Sequence, residues 1–520
     1  MSAHSADAHL ASGRVLLSMK RWHDALACFS QYLAAQPLNA EAWVFCGQAQ
    51  LNLGRLDQAR ASFGRALELQ PRLVPALVGL GEVGERSGDF GAALGCFEQA
   101  LAAAPQDMGL ESKRGVALFH LRRFGEAADS FGLVAKALPQ YALNWHNWGS
   151  AAREAGDLAT ARACVDKALQ LAPDMGMAHF NLGNILRDEL KIEEAIGSYQ
   201  RCIALQPDDA EARFVIAVCQ LLLGRFDEGW QGYESRWSRP RGPVRIPPVD
   251  APRWSGGEDL SQRRLLLIAE QGLGDTIQFC RLAPILAAQG ARVALAVPRT
   301  LTGLLSTLEG VERLVSEDEP LPEADFHCPL LSLPLAMRLD AAHIPAPVRY
   351  LQPSAERVAH WARQLGPRQA DRPRIGLVWA GNRSHENDHK RSIPLARLME
   401  ALPERFAYYG LQKEVAEQDL DAAAARAQFT HLGPQLKDFA DTAALVDCMD
   451  AVIAVDTSVA HLGGALGTAT HILLAYSPDW RWQLDRTDSP WYPSVTLHRQ
   501  HAPGDWNAAL ASLARSLATI

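Results

Sequence analysis

The chain has 520 residues, with 51 basic against 59 acidic side chains and a formal charge of −8. This balance excludes a general nucleic-acid binder, because such proteins need clustered positive charge to neutralise phosphates. The length implies about three or four domains. No apolar run is long enough to span a bilayer, and residues 1–20 lack the pattern of a secretory signal. We therefore expect a cytoplasmic protein with no integral membrane segment.

The front half of the chain repeats every 34 residues. Proline keeps this spacing at Pro37, Pro71, Pro105, Pro139, Pro173 and Pro207. Alanine keeps it at Ala25, Ala59, Ala93, Ala127, Ala161 and Ala195, and glycine at Gly13, Gly47, Gly81, Gly115, Gly149 and Gly183. An aromatic residue keeps it at Phe29, Phe63, Phe97, Phe131 and Tyr199, with Val165 the exception. A period of this length indicates stacked supersecondary units, here two short helices each.

These residues resemble the tetratricopeptide repeat. The resemblance implies an α-solenoid over residues 1–238, with six full repeats and a modified seventh that no proline closes. In the seventh, Ala217, Gly229 and Tyr233 keep the expected phase. A stacked array of this kind forms an extended concave groove that suits another protein.

The periodicity stops at a proline-rich segment, residues 239–262, which predicts an extended linker. Short apolar runs then alternate with helical stretches, as in buried parallel strands. They lie at 265–269, 293–297, 375–379, 408–411, 451–455 and 471–475. We predict two Rossmann-like domains, at 263–372 and 373–520, that face each other across a cleft. A single large doubly wound sheet is the alternative.

The first candidate motif follows the predicted strand 265–269. Gly272 and Gly274 permit a tight turn, and Asp275 stands at the start of a helix. The third glycine of the dinucleotide fingerprint G-x-G-x-x-G is absent, and Gln278 and Phe279 follow. The motif therefore does not predict nicotinamide binding. Asp275 is either a helix cap or a carboxylate at the cleft that accepts a proton from an acceptor hydroxyl.

The second motif follows the predicted strand 451–455. Asp456, Thr457 and Ser458 open a helix of small residues that also carries His461. The free N–H groups and positive dipole end of such a helix suit an anion, and small residues would let a diphosphate approach the backbone. The alternative is that Asp456 and Thr457 only cap the helix and that His461 is a packed residue.

Together with the segment 389–394, which includes Lys390 and Arg391, these motifs resemble the bacterial glycosyltransferases of the heptosyltransferase type. With the preceding repeats, the chain is similar to bacterial proteins thought to glycosylate flagellin or other proteins, and more distantly to the O-GlcNAc transferases. The resemblance implies a GT-B fold and transfer from a nucleotide sugar, with inversion and no obligatory metal or other cofactor. It implies that Asp275 is the base, that Gly272, Gly274 and Gln278 form the acceptor loop, and that the C-terminal domain binds the donor. The donor-binding residues it implies are Lys390, Asp456, Thr457, Ser458 and His461.

The sequence leaves undecided which further residues contact the donor. Arg391 and Arg481 are candidate cations, although Arg391 could equally be a solvated surface residue. Gln412 and Lys413 follow the predicted strand 408–411 and either contact the nucleotide or form a plain loop. Asp419 and Asp421 form an Asp-x-Asp pattern, but the run 414–428 predicts an exposed helix, so we assign no metal. The ligand types at His385, Asp388 and His389 lack a third segment, and we assign no zinc there either.

In the repeats, Asn147 and Asn181 lie two residues before the helix glycine. Asparagines at such positions grip a peptide backbone in the O-GlcNAc transferases, and ordinary surface asparagine is the alternative here. The sequence thus predicts a glycosyltransferase that acts on Ser or Thr of an acceptor protein, with flagellin as one candidate. The alternatives are a non-catalytic repeat scaffold and an enzyme that modifies a glycolipid or oligosaccharide.

Overall fold

The computed structural model describes residues 3–239, 246–382, 388–417, 419, 421 and 427–518. The chain divides into two compact units, Met1–Pro207 and Asp208–Ile520. No helix among these described residues combines the length and apolar character needed to cross a membrane.

The first unit consists of helix pairs, which confirms the predicted solenoid. Its helices are α1 Ala3–Ser18, α2 Trp22–Ala35, α3 Ala40–Asn52, α4 Leu56–Leu69, α5 Val74–Ser87, α6 Phe90–Ala103, α7 Met108–His120, α8 Phe124–Ala137, α9 Ala142–Glu154, α10 Leu158–Leu171, α11 Gly176–Asp188 and α12 Ile192–Leu205. Each even-numbered helix ends two residues before a periodic proline, because proline cannot continue the helical hydrogen bonding.

The periodic glycine contacts the periodic aromatic residue within each pair except α9 and α10, where Gly149 meets Val165 instead. A methyl group added to Gly81 would lie 2.3 Å from Cε1 of Phe97, and one added to Gly47 would lie 2.8 Å from Cε1 of Phe63. Glycine at this position therefore lets the aromatic ring pack directly against the backbone of the first helix.

The turn between the paired helices contains a left-handed residue with the same period. Glycine supplies it at Gly54, Gly88 and Gly156, with φ of 75°, 78° and 88°. Lys20, Arg122 and Leu190 occupy the equivalent positions with φ of 59° to 61°. The 34-residue period thus fixes backbone conformation at positions where the residue type itself varies.

The seventh helix pair belongs to the second unit. Helices α13 Ala210–Leu222 and α14 Phe226–Tyr233 keep the repeat geometry, including a left-handed Gly224, and a 3-10 turn Glu234–Ser238 follows. The repeat phase alone placed this pair with the six repeats, but the compact unit that contains it begins at Asp208.

The rest of the second unit contains two parallel sheets. The first sheet has the order β3-β2-β1-β4 and the second has the order β10-β9-β8-β5-β6-β7. The strands are β1 Arg264–Ile268, β2 Arg292–Val297, β3 Val311–Ser316, β4 Phe326–Pro329, β5 Arg374–Val378, β6 Ala407–Gly410, β7 Phe429–His431, β8 Ala451–Val455, β9 Thr470–Leu474 and β10 Val495–Arg499. Since the named strands form two sheets, the alternative of one large sheet is not what the described residues form.

Helices accompany both sheets. Those of the first are α15 Leu273–Phe279, α16 Leu282–Ala288, α17 Arg299–Leu305 and α18 Leu333–Ala336. Those of the second are α19 Ala355–Leu365, α20 Asp388–Arg391, α21 Leu395–Ala401, α22 Phe439–Asp447, α23 Ser458–Ala465 and α24 Asn507–Leu517. We call β1–β4 with α15–α18 the first α/β half, and β5–β10 with α19–α24 the second.

The chain reaches the second half before residue 373. The N–H of Tyr350 donates to Ala465 O at 3.1 Å, and Arg357 in α19 pairs with Asp438 and Asp441 at the start of α22. Helix α19 therefore packs with the second half, although the sequence alone grouped it with the first.

Candidate functional site

Two loops at the carboxyl ends of strands come together in the second unit. One is the connection from β1 to α15 together with the first turn of α15, which carries Gly274, and the other is the connection from β8 to α23 together with the first turn of α23, which carries Ser458 and His461. A methyl group on Gly274 would lie 2.8 Å from Cδ2 of His461 and 3.5 Å from Cα of Ser458. The two motifs singled out in the sequence, almost two hundred residues apart, are therefore in direct contact.

Asp275 lies in the first turn of α15, and both of its carboxylate oxygens have partners. The N–H of Gly272 donates to Oδ2 at 2.8 Å, and Arg481 forms an ion pair with Oδ1. The side chain remains 20% exposed. Burial raises the pKa of Asp275, Arg481 opposes this and the carboxylate of Asp479 adds to it. Asp275 thus caps the turn and also presents a carboxylate at the junction of the two loops.

The guanidinium group of Arg481 is held on several sides. Nε donates to Oε1 of Gln278 at 2.6 Å, and Nη1 donates to Oδ1 of Asp479 at 2.8 Å. The guanidinium carbon lies 4.2 Å from the centre of the Trp480 ring. Burial opposes the charge of Arg481, but the carboxylates of Asp479 and Asp275 outweigh this effect and raise its pKa above the usual arginine value, so it is a permanent buried cation. Gln278, predicted for the acceptor loop, lies beneath the site as a support for Arg481.

The start of α23 has features of an anion site. Thr457 precedes the helix without a side-chain cap, and its buried Oγ1 has no hydrogen-bond partner among the described residues. Arg391 donates from Nη1 to the backbone oxygen of Asp456 at 2.8 Å. Burial and the Asp479 carboxylate raise the pKa of Asp456. The helix N-terminus and a guanidinium group therefore lie at the same point.

His461 is a packed residue. Its Nδ1 lies 2.9 Å from the hydroxyl of Tyr492, and its ring stacks on Trp482 with a centroid distance of 5.2 Å. Burial and two nearby arginines hold its pKa well below the usual value, so the ring is neutral. The sequence predicted a donor contact here, and the structure instead places the ring between protein side chains, against Gly274.

Arg391 is not the solvated surface residue that the sequence left open. It is half-buried and its Nε lies 3.3 Å from Oδ1 of Asp388. A methyl group on Gly381, after β5, would lie 2.4 Å from Nη2 of Arg391, so glycine is required for this approach. Lys390 and Lys413 are both exposed. His385 and the rest of 383–387 lie outside the described residues.

Gln412 uses its amide within the protein. Its Oε1 accepts from the N–H groups of Trp379 and Ala380 at 3.1 and 3.0 Å, and its Nε2 donates to Glu414 O at 2.9 Å. The prediction of a direct contact to the nucleotide therefore needs correction, because both ends of the amide position the loop after β5.

Asp419 also differs from its prediction as part of an exposed helix. Its carboxylate is buried and accepts from Trp379 Nε1 at 2.9 Å and from the N–H of Leu395 at 3.0 Å. Residues 418, 420 and 422–426 lie outside the described residues. Within the described ranges, no group of three or more His, Cys, Asp or Glu side chains could hold a metal ion.

The sequence reasoning missed the contribution of the seventh helix pair. Tyr233 donates from its hydroxyl to Oε1 of Gln271 at 3.2 Å, and Arg236 pairs with Glu270 at 3.0 Å, at the end of β1. An aromatic cluster joins α14 to α15 and to the segment 475–494 between β9 and β10, which we call the tail. Its members are Phe226, Trp230, Tyr233, Phe279, Trp480 and Trp491. The tryptophan-rich tail was the available signal, but spacing alone did not show its partners.

In the first unit, Asn181 is buried and donates from Nδ2 to Oγ of Ser150 at 2.9 Å. Asn147 is half-buried. The Asn181 amide therefore links neighbouring helices, so Asn181 is not the ordinary surface asparagine that the sequence left as the alternative to a peptide contact.

The chain shares its repeats with a known family and most of its length with a known protein. The tetratricopeptide repeat family model matches residues 10–74, 78–142, 146–201 and 185–237. The chain is 30% identical over 447 residues to protein FlbA of Caulobacter vibrioides, covering 80% of this chain and 73% of FlbA. The chain belongs to the family of FlbA.

Solved structures resemble the helical part. YrrB, a repeat protein with an unusual peptide-binding site, is 21% identical, with 35% of this chain and 95% of YrrB covered and a TM-score of 0.33. A tetratricopeptide repeat protein from Parabacteroides merdae is 13% identical, with 46% and 95% covered and a TM-score of 0.40.

Proposed function

We propose that the second unit is a GT-B glycosyltransferase that moves a sugar from a nucleotide-sugar donor to Ser or Thr of an acceptor protein. The observation that carries this proposal is the contact of Gly274 with Ser458 and His461. It brings a carboxylate, Asp275, to the start of a helix suited to a diphosphate. A base and an anion site on opposing α/β halves are what transfer between two substrates requires.

The sheet topology supports a nucleotide at this place. Counted within its own half, the second sheet has the order 3-2-1-4-5-6 seen in nucleotide-binding sheets. Its strand order reverses between β5 and β8, where ligands of such sheets bind. Gly381, Arg391 and Thr457 all lie at this point. In the first sheet the equivalent point, between β1 and β4, is where Glu270 accepts from the N–H of Leu331 at 3.2 Å.

The reaction assigns a role to each group. The acceptor hydroxyl oxygen attacks the anomeric carbon and its proton passes to Asp275. The bond from that carbon to the phosphate oxygen breaks, and the nucleoside diphosphate leaves with the electron pair. The negative charge that develops is stabilised by the N–H groups at the start of α23 and by Arg391, with Lys390 as a further cation. Attack opposite to the leaving group inverts the anomeric centre.

The repeats would recruit the acceptor protein. A tetratricopeptide array suits an extended segment of another protein, and the resemblance to flagellin-modifying proteins makes flagellin the first acceptor to test.

A repeat scaffold without catalysis is the second candidate. The observation that favours it is the internal use of site groups: the Gln412 amide, the His461 ring and the Asp275 carboxylate all have protein partners. A scaffold would keep these contacts and bind no nucleotide.

Calorimetry with a panel of nucleoside diphosphates separates the two, because the transferase must bind at least one. Transfer is then measured with the corresponding labelled nucleotide sugars and purified flagellin. Asp275→Asn should abolish transfer and leave nucleotide affinity within about 2-fold, since Asp275 faces the acceptor and the start of α23 binds the donor. Asp318→Asn, an exposed aspartate of the first half, is the control. Absence of binding by every nucleotide would remove the proposal in favour of the scaffold.

A further inference from the structure

We propose that Arg481, from the second α/β half, is a positioning residue that completes the base Asp275 on the first half. This inference rests on the proposed function. It means that neither half contains a competent base alone.

The hydrogen bonds of Arg481 fix the orientation of its guanidinium group. The three guanidinium nitrogens of Arg481 each donate to a protein oxygen, those of Gln278, Asp479 and Asp275. The arginine side chain is only 7% exposed. A guanidinium group used in this way is held in one orientation. Its role is therefore to fix Asp275, and donor phosphate binding falls to other groups.

The orientation of the Asp275 carboxylate is fixed as well. Gly272 N–H holds Oδ2 and Arg481 holds Oδ1, so the carboxylate plane is fixed at both ends. The remaining exposed fifth of the side chain is where an acceptor hydroxyl can approach. A base held in one orientation is more effective than a freely rotating one, because no rotational freedom has to be lost on reaching the transition state.

Arg481 also influences the ionisation of Asp275. Arg481 lies among three carboxylates, those of Asp275, Asp456 and Asp479. The titratable and charged groups that face Asp275 are Arg481 and Asp479 from the tail after β9, Tyr233 from α14 and Glu270 from the end of β1. Arg481 is the cation that favours ionised Asp275, and Asp479 opposes it. Removing the arginine should leave Asp275 protonated over a wider pH range, and neutralising Asp479 should do the reverse.

The experiment is the pH profile of kcat/KM for transfer in the full chain. In Arg481→Met, the midpoint of the acidic limb should move to higher pH by about 1 to 3 pH units, since a close opposite charge shifts the pKa of a carboxyl group by this much. In Asp479→Asn, which keeps the oxygen that Arg481 contacts, the limb should move downward. Arg481→Lys should restore part of the loss, and the KM for the donor should change little. Arg486→Met, the same substitution in the same tail, should leave the profile unchanged, since Arg486 pairs with Asp488.

The outcomes are distinct. An unmoved limb in an active Arg481→Met protein overturns the inference and leaves the proposed function standing. If Arg481→Met does not fold, Asp479→Asn decides, and an unmoved or upward limb overturns the inference. If the wild-type protein transfers no sugar from any donor, the proposed function fails and the inference fails with it.

Discussion

Nη2 of Arg236 lies 3.0 Å from Oε1 of Glu270, and neither side chain is exposed. The arginine follows the seventh helix pair and the glutamate lies two residues after the end of β1, so this ion pair joins a repeat-like element to the first sheet. Burial raises the pKa of Glu270 to about 7, even with the arginine beside it. Loss of either side chain would therefore leave the other one buried without its partner in this ion pair.

Arg236→Met should lower the free energy of unfolding of the second unit by about 3–5 kcal/mol, because it leaves Glu270 buried without its cation. Hydrogen exchange of peptides from β1 in the full chain measures this loss. The double variant Arg236→Met/Glu270→Gln should recover part of it. Arg253→Met, which removes a 37% exposed partner of Glu234, should cost about 1 kcal/mol or less. Equal losses in the two single variants would contradict the prediction.

A fragment of residues 208–520 should fold, whereas a fragment of residues 239–520 should not. The second fragment lacks Arg236 and the aromatic residues Phe226, Trp230 and Tyr233 that pack on α15 and the tail. Circular dichroism and nucleotide binding test both fragments. If the repeats recruit the acceptor, the 208–520 fragment should bind nucleotide normally but transfer poorly to protein. Undiminished transfer would favour a glycolipid or oligosaccharide acceptor.

Gly274→Ala should separate the two loops of the candidate site. Its methyl group would lie 2.8 Å from Cδ2 of His461, a ring that is itself fixed by Trp482 and Tyr492. We expect transfer to fall by about 100-fold, because displacement of about 1 Å is enough to disturb catalytic geometry. Gly257→Ala, where a methyl group meets no atom within 4 Å, is the matched control. Full activity of Gly274→Ala would show that the contact is not needed.

Gly81→Ala and Gly95→Ala should have opposite effects on the solenoid. The first would place a methyl group 2.3 Å from the Phe97 ring and should destabilise by about 1–3 kcal/mol through overpacking. The second lies inside α6 with open space around it and should stabilise by up to about 1 kcal/mol. Hydrogen exchange of α5 and α6 measures both changes. Loss of stability in both variants would contradict the proposed packing.

The buried pair His471 and His498 should make the second unit sensitive to acid. Nδ1 of His471 lies 3.1 Å from Nε2 of His498, and burial lowers the pKa of His498 to about 3. The unfolded chain takes up a proton below about pH 6.5 while native His498 stays neutral, so stability present above that pH is lost as the pH falls. At pH 5 this loss is about 2 kcal/mol.

His498→Gln should flatten this dependence between pH 7 and pH 5, as measured by denaturant unfolding. The exposed His343→Gln should keep the wild-type slope. Identical slopes in the two variants would remove His498 as the cause.

The sequence predicted the repeats well because each carries its own local pattern. The solenoid is confirmed, and several predicted strands fall within one residue of those observed, with 451–455 matching β8 in full. Strand β3 was missed because its first half is exposed and charged, and β4 because it has four residues and ends in proline. Edge and short strands lack the continuous apolar run on which the prediction depended.

The site was predicted only in part. The loops of Asp275 and Thr457 could be paired because both follow strands at their carboxyl ends. Arg481 was named as a cation, but its contact with Asp275 spans 206 residues and no periodicity relates the two. Gln412 and Asp419 were misjudged for a different reason. Their polarity suggested exposure or ligand contact, but in the fold their oxygens accept hydrogen bonds from backbone and indole N–H groups.

The pairing of each periodic helix glycine with the residue sixteen positions later, aromatic except at Val165, is complete within one 34-residue unit. Whole units could therefore be duplicated or lost without disturbing any such pair. The length of the array is thus free to vary between relatives, and with it the extent of partner that the array can accommodate.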